Sequence, residues 1–243
     1  MASSEFWWLG SNEKTKYVYV ELGHHRPIGD NENPCSITWD TGISLIDELN
    51  YWRKKFQNTN VYRALKIGTA LSGGESIIGP LVVDIDNGDE NLEDALVVAR
   101  KTLFFLCDQR EIDINNLRIF FTGHKGFNLE IHPQALGIRG CISDQLRKSA
   151  DVLHQITKAL RLGNSWQDMN QVSNAGTVVD QIYGSSYSGY RLKHPYIRLH
   201  GSLNRWIMSD GNARTRMKIE LTVDELNKLC ATDIISRAEK LAS

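Results

Sequence analysis

Two carboxylates, Asp84 and Asp86, stand one residue apart at the end of an apolar run that begins at Leu81. The run has the composition of a buried strand, and residues two apart on a strand lie on the same face of the sheet. Two adjacent carboxylates repel each other unless positive charge lies close to both. The pattern therefore predicts either a divalent metal site at the strand end or a polar turn made by Asp86, Asn87 and Gly88.

A second stretch combines a strand end with a short glycine-containing turn. Thr122 ends an apolar run, and Gly123, His124, Lys125 and Gly126 lead into the next strand. Glycines let backbone amides approach a ligand closely, while the threonine supplies a hydroxyl and the lysine a charge. The stretch predicts either a phosphate-binding turn or a plain hairpin with a solvated lysine at its tip.

A third stretch repeats the first motif in part. Asp180 follows two valines, much as Asp84 does, and Arg198 and Ser202 then flank another turn. Taken alone, these residues are equally consistent with a strand-end aspartate and an arginine on an exposed strand.

The order and spacing of the three stretches, from about Gly79 to Lys218, are more specific than any one of them. The chain resembles the archaeo-eukaryotic primase superfamily, whose members have a primase-polymerase (PrimPol-type) catalytic domain. The resemblance implies an α+β (mixed α/β) fold. We expect a mixed central sheet flanked by helices, with an RRM-like subdomain and an N-terminal α/β module.

The resemblance also implies roles for individual residues. Asp84, Asp86 and Asp180 would be the catalytic acids and the ligands of Mg²⁺ or Mn²⁺. The nucleotide-binding residues would be Thr122, Gly123, His124, Lys125, Gly126, Asn128, Arg198 and Ser202.

Three positions depart from the family pattern. Asn128 stands where the family has histidine, Asn204 stands where histidine is common, and His200 stands where proline is common. Asparagine keeps a hydrogen-bond donor but carries no charge at any pH. We therefore expect weaker binding of a triphosphate than in the family.

The implied function is a template-dependent nucleotidyltransferase, a DNA primase or polymerase. It would add NTPs or dNTPs to the 3′ end of a primer on a DNA template, with initiation of primers as a further, less favoured activity. A helicase domain or subunit would be a further partner. One alternative is a catalytically weakened nucleotide-binding or nucleic-acid-binding module, suggested by Asn128. Another is a metal-dependent phosphohydrolase or nuclease that uses the same acids. The Thr-Gly-x-Lys-Gly turn favours the first two, and the retention of three acids favours the polymerase.

Length and charge limit the organisation of the chain. Its 243 residues, 41% of them hydrophobic, suit a single catalytic domain with an N-terminal module of about residues 1–78 and a catalytic module of about 79–243. We expect this domain to belong to a longer replication protein. Because the net charge is −1, a nucleic-acid surface must be local.

Two short basic stretches are candidates for that surface, and the alternative for each is a solvated helix face or strand edge. They are Arg53–Lys55 and Arg214–Lys218, with Trp52 and Trp206 as stacking surfaces.

The remaining composition excludes other classes of protein. The four cysteines are far apart and form no CxxC pair, so a zinc-ribbon site is not predicted. No segment is apolar for long enough to predict a membrane span, and the N-terminus does not have the pattern of a signal peptide. We expect a cytoplasmic protein associated with a nucleoid or with plasmid or viral replication.

Overall fold

The structure is a computed structural model of the chain. It describes residues 7, 17–24, 35–40, 61–64, 66–69, 76–137, 142–161, 176–180, 183–186, 189–192, 196–198, 200–207 and 211–243. Trp52 and the basic stretch Arg53–Lys55 lie outside the described residues.

The described residues form fifteen strands and four α-helices. The strands are β1 (Tyr17–His24), β2 (Cys35–Asp40), β3 (Val61–Ala64), β4 (Lys66–Thr69), β5 (Ser76–Ile78), β6 (Leu81–Asn87), β7 (Leu117–Phe121), β8 (Gly126–Ile131), β9 (Thr177–Asp180), β10 (Tyr183–Ser186), β11 (Gly189–Leu192), β12 (Tyr196–Arg198), β13 (Leu203–Ile207), β14 (Ala213–Met217) and β15 (Ile219–Leu221). The helices are α1 (Leu92–Phe104), α2 (Ile142–Leu160), α3 (Val223–Lys228) and α4 (Ala231–Ala242).

The strands that carry Asp84, Asp86 and Asp180 belong to a five-stranded sheet, with strand order β15-β7-β8-β6-β9. Along the chain, β6, α1, β7, β8, α2 and β9 follow one another in the βαββαβ order of ferredoxin-like folds, the arrangement also found in RRM domains. The α+β class is therefore confirmed, together with its RRM-like part. All described pairs of this sheet are antiparallel, where we expected a mixture of strand directions.

One face of this sheet is apolar because the strands alternate in sequence. The side chains on it are buried: Leu81, Val83, Ile85, Leu117, Ile119, Phe121, Phe127, Leu129, Ile131, Val179, Ile219 and Leu221. Helix α1 packs across β6 and β8, and α2, α3 and α4 contribute residues to the same core. Burial of this face supplies most of the hydrophobic free energy available to the region.

The second sheet contains six strands, with order β12-β3-β1-β4-β5 and β2 paired to β1. Strand β12, which follows Asp180 in the chain, thus pairs with strands from the first third of the sequence. This pairing determines where Arg198, the last residue of β12, lies. The division into modules near residue 78 stays a prediction.

Two hairpins complete the described structure, β10–β11 and β13–β14. Within the described ranges, every helix is too short or too polar to cross a lipid bilayer.

Candidate functional site

The second face of the five-stranded sheet carries the predicted acids. Asp84 lies opposite Asn128 of β8 on one side and opposite Asp180 of β9 on the other. Directly opposed residues of antiparallel strands share a face, with Cβ atoms about 4.5–5.5 Å apart. Asp86 is on the same face as Asp84 because it follows two residues later. The strand register therefore brings the positions of Asp84, Asp86 and Asp180 together.

The turn after β6 is made by Asn87 rather than by either aspartate. Asn87 is buried, and its Oδ1 accepts hydrogen bonds from the backbone N–H groups of Asp89 at 2.9 Å and Asn91 at 3.1 Å. Its Nδ2 donates to Thr177 Oγ1 at 2.9 Å, which ties the turn to β9. The polar-turn interpretation is thus correct for Asn87. It does not account for the carboxylates of Asp84 and Asp86.

Asn128 contacts a carboxylate directly. Its Nδ2 donates a hydrogen bond to Asp84 Oδ1 at 2.6 Å, and the asparagine is only 3% exposed. A hydrogen bond to an ionised acceptor contributes about 1.5–3 kcal/mol. Asn128 therefore holds Asp84 in place. Its predicted contact with a triphosphate stays a prediction.

Lys125 brings positive charge to the second carboxylate. Its Nζ lies 3.4 Å from Asp86 Oδ2, and both side chains are partly exposed. The turn containing Lys125 returns directly to β8, whose first residue, Gly126, is paired with Asp86. The candidate phosphate turn and the two acids are therefore neighbours.

Gly126 is required by the closeness of β6 and β8. A Cβ at this position would lie 1.9 Å from the carbonyl oxygen of Ile85 and 2.4 Å from Asp86 Oδ1. No side chain fits at those distances. The glycine thus allows the turn to approach the carboxylates by removing a clash rather than by adopting an unusual backbone angle. The predicted approach of its backbone amide to a ligand stays a prediction.

Thr122 and Arg198 meet at the same turn. The backbone N–H and the hydroxyl of Thr122 each donate to the carbonyl oxygen of Gly126 at 3.0 Å, which closes the turn. The carbonyl oxygen of Thr122 accepts from Arg198 Nη1 at 3.2 Å and from Asn204 Nδ2 at 3.4 Å. The structure therefore brings Arg198 to the turn, and it adds Asn204, which the sequence marked only as a departure from the family.

Lys218 lies beneath this site and is fully buried. Its Nζ donates to the carbonyl oxygen of Arg198 at 2.9 Å and lies 4.7 Å from the centre of the Phe120 ring. Its backbone N–H donates to the carbonyl oxygen of Ser202, also buried, at 2.9 Å. The prediction that Lys218 belongs to an exposed basic stretch is wrong, because the side chain supports β12 from inside.

His124 links the turn to the β13–β14 hairpin. Its ring centre lies 4.2 Å from that of Trp206, and its Nε2 lies 3.1 Å from Glu90 Oε1. Burial lowers the pKa of His124 below its ordinary value and Lys125 lowers it further, while Glu90 acts in the opposite direction. His124 is therefore neutral at pH 7.

The Trp206 ring has a second neighbour, Arg216, whose guanidinium carbon lies 5.0 Å from the ring centre. The tryptophan predicted as a stacking surface for bases thus already contacts an imidazole and a guanidinium. Sequence reasoning missed the contact with His124 because it joins residues 82 positions apart, and no local pattern marks where the hairpin packs on the turn.

Among the side chains that the structure describes, no group of three or more His, Cys, Asp or Glu residues is arranged to hold a metal ion. For Asp180 only the backbone position in β9 is described, so this finding does not cover its side chain. The donors that the register brings together are carboxylates, the ligands that Mg²⁺ and Mn²⁺ prefer.

Comparisons with known proteins do not assign a function to this chain. No protein-family model matches the chain, and no curated protein matches it. Among solved structures, it is similar to the polymerase domain of Ligase D from Mycobacterium tuberculosis, determined in complex with DNA. That likeness has a TM-score of 0.46 and 18% sequence identity, and it covers 94% of this chain and 72% of that one. A likeness this distant assigns no function.

Proposed function

We propose that the chain is a template-dependent nucleotidyltransferase that adds NTPs or dNTPs to a primer on a DNA template. The observation that carries the proposal is the strand register, which brings Asp84, Asp86 and Asp180 to one face beside the turn of Lys125. Three carboxylate positions next to a cationic turn match the needs of phosphoryl transfer, in which position and charge do most of the work.

Asp84, Asp86 and Asp180 would hold Mg²⁺ or Mn²⁺ at this site. When bound there, such ions would supply activation of the primer 3′-hydroxyl and stabilisation of the charge on the leaving pyrophosphate. Asn128 holds one oxygen of Asp84 by a hydrogen bond and so restricts the orientation of the carboxylate. Asp86 keeps one oxygen beside Lys125 in a similar way.

The nucleotide would lie between the carboxylates and the turn. Lys125 is placed to contact the phosphates, and Arg198 is held to the carbonyl oxygen of Thr122 by a 3.2 Å hydrogen bond that fixes its guanidinium at the turn. His124 is neutral and therefore contributes a hydrogen bond rather than a charge. The cationic character of the turn thus comes from Lys125 and Arg198.

A second candidate function is favoured by one specific observation. Asp84 already accepts from Asn128, and Asp86 already lies beside the Lys125 ammonium. Each carboxylate thus has a partner within the chain. This arrangement also suits a module that binds nucleotide or nucleic acid without catalysis.

Primer extension separates the two functions. The purified chain is incubated with Mg²⁺ or Mn²⁺, a primed template and labelled NTPs or dNTPs. We expect extension by the wild type, and a loss of about 100-fold or more in Asp84→Ala and Asp86→Ala, because metal coordination is worth several kcal/mol of transition-state stabilisation. Asp151→Ala is the matched control, since this exposed aspartate pairs only weakly with Arg147 on α2.

The outcomes are distinct. Extension at the wild-type rate by the Asp84→Ala/Asp86→Ala double variant would overturn the proposed mechanism. Nucleotide binding without extension in either metal would favour the second candidate.

A further inference from the structure

The β13–β14 hairpin is strongly cationic in a chain whose net charge is −1. Its described residues, 203–207 and 211–217, contain Arg205, Arg214 and Arg216 and no aspartate or glutamate, and the sequence that joins the two strands adds one acid, Asp210. A local excess of one sign creates a field that the neutral total conceals. The charge of the hairpin thus complements a polyanion.

The register distributes these arginines over both faces of the hairpin. Trp206 pairs with Arg214, whereas Arg205 pairs with Thr215, so Arg205 and Arg214 lie on opposite faces. Both are exposed. Arg216, on the same face as Arg214, is paired with Glu239 at 2.9 Å. A two-stranded ribbon with a cation on each face can contact the two phosphate backbones that border a groove.

An exposed apolar residue accompanies the arginines. Ile207, at the end of β13, is 76% exposed and shares a face with Arg205. Nucleic acid offers both phosphates and the faces of terminal or unpaired bases, so a surface with cations and one apolar side chain matches both parts of it.

The base of the hairpin rests on the candidate phosphate turn. Trp206 contacts His124 at 4.2 Å between ring centres, and Asn204 donates to the carbonyl oxygen of Thr122 at 3.4 Å. A Cβ on Gly123 would lie 3.1 Å from Asn204 Cβ, which shows how closely the two segments approach. A polyanion bound along the hairpin therefore lies close to the sheet face that carries the acids.

We propose that the β13–β14 hairpin binds the phosphate backbone of the primer–template duplex and directs the primer end toward Asp84 and Asp86. That the partner is a primer–template duplex rests on the proposed function. That the surface is cationic rests only on the residues described for the hairpin. Arg205 and Arg214 provide the contacts, and the Trp206–His124 contact holds the hairpin against the turn.

The test measures binding without catalysis. A fluorescent primer–template duplex is titrated with the full chain in EDTA, without nucleotide, at several salt concentrations, and anisotropy is recorded. For Arg205→Ala/Arg214→Ala we expect affinity to fall by about tenfold or more at low salt. We also expect the slope of log K against log salt to flatten by about 1.4–1.8, because two phosphate contacts are lost.

Two further variants control for folding and for total charge. Lys101→Ala/Arg110→Ala removes the same charge from exposed positions on and just after α1, the helix that covers the apolar face, and should bind as the wild type does. Arg205→Lys/Arg214→Lys keeps the charge and should keep most of the salt slope.

Equal binding by the wild type and Arg205→Ala/Arg214→Ala would overturn the inference, as would a wild type that does not bind the duplex. Primer extension is measured separately on the same proteins. A chain that loses binding in the hairpin variant but never extends primers would refute the polymerase activity and still support the hairpin as a binding surface.

Discussion

The two faces of the five-stranded sheet are built from alternate residues of the same strands, yet they differ in nearly every physical respect. On one face Ile85 and Phe127 face each other across β6 and β8, and both are fully buried. On the other, one residue away along each strand, Asp84 faces Asn128. The apolar face is covered by helices, whereas the polar face holds every residue predicted to be catalytic.

The comparison shows that the two faces of the sheet are stabilised in two different ways. The apolar face is stabilised by removing hydrocarbon from water. The polar face is also buried in part, and there polar groups lie beside polar partners, because an unpaired buried polar group costs free energy. Arg118 Nε is an exception in geometry, since it lies near a carboxylate without a hydrogen bond. Trp7 Nε1 lies 3.5 Å from Glu130 Oε2, and Arg118 lies 3.4 Å from Glu220 Oε1. That end of the polar face has a structural role, whereas the end with Asp84 and Asp86 is the candidate site.

The largest expected effect is on the apolar face. Phe127→Ala should lower the free energy of unfolding by about 3–5 kcal/mol, because a fully buried ring is replaced by a cavity. Urea unfolding followed by circular dichroism measures it. Phe104→Ala is the matched control, since Phe104 is 59% exposed and should cost far less. Equal losses in the two variants would contradict the assignment of this face as the core.

On the polar face, a double-mutant cycle measures the interaction free energy between Asn128 and Asp84. Asn128→Ala and Asp84→Ala should each destabilise the fold, but the double variant should cost less than their sum. The coupling should be about 1.5–3 kcal/mol, because one hydrogen bond to a charged group is shared. Pairing Asn128→Ala with Asp151→Ala on α2 gives the additive reference. A coupling near zero would mean that Asn128 does not support Asp84.

The sequence predicts one end of the polar face well because its signal is local. The period-2 alternation around Asp84 and Asp86 and the glycines of the turn are visible in short windows. The alignment of Asp180 with Asp84 came from family resemblance and agrees with the register. The contacts of Asn128 with Asp84 and of Trp206 with His124 could not be predicted, because strand register and hairpin docking are set by distant residues.

The next prediction concerns Lys125. Lys125→Ala should raise the apparent KM for nucleotide roughly tenfold and change kcat less, because a charged contact to phosphate is made in both ground and transition states. Steady-state extension kinetics give both constants. Lys228→Ala removes a lysine that pairs with Asp224 on an exposed helix and should leave KM unchanged. An unchanged KM in Lys125→Ala would mean that Lys125 is a solvated hairpin tip.

The smallest expected effect is a pH dependence at His124. Its pKa lies below the ordinary value of 6.5, chiefly through burial, with Lys125 lowering it and Glu90 and Asp86 opposing. Between that lowered pKa and 6.5 the unfolded chain therefore binds more protons than the folded one. Stability rises with pH through this window and falls as the solution is acidified below about 6.5.

Urea unfolding at pH 7.5 and 5.5 tests this dependence. His124→Gln should lose less stability on acidification than the wild type does. His154→Gln changes an exposed histidine of α2 and should behave as the wild type. Identical pH responses in all three proteins would show that His124 is not shielded from water.

Gly126, the first residue of β8, also restricts how β8 can align with β6. Shifting β8 by one residue against β6 would exchange the two faces of the sheet. A shift of two would keep the faces but place His124 or Asn128 opposite Asp86, where the close backbone leaves no room for a side chain. A shift of three would bring Gly123 there, again with the faces exchanged. Gly126 thus selects, among neighbouring alignments, the one in which the amide of Asn128 meets a carboxylate, and it penalises misaligned forms during folding.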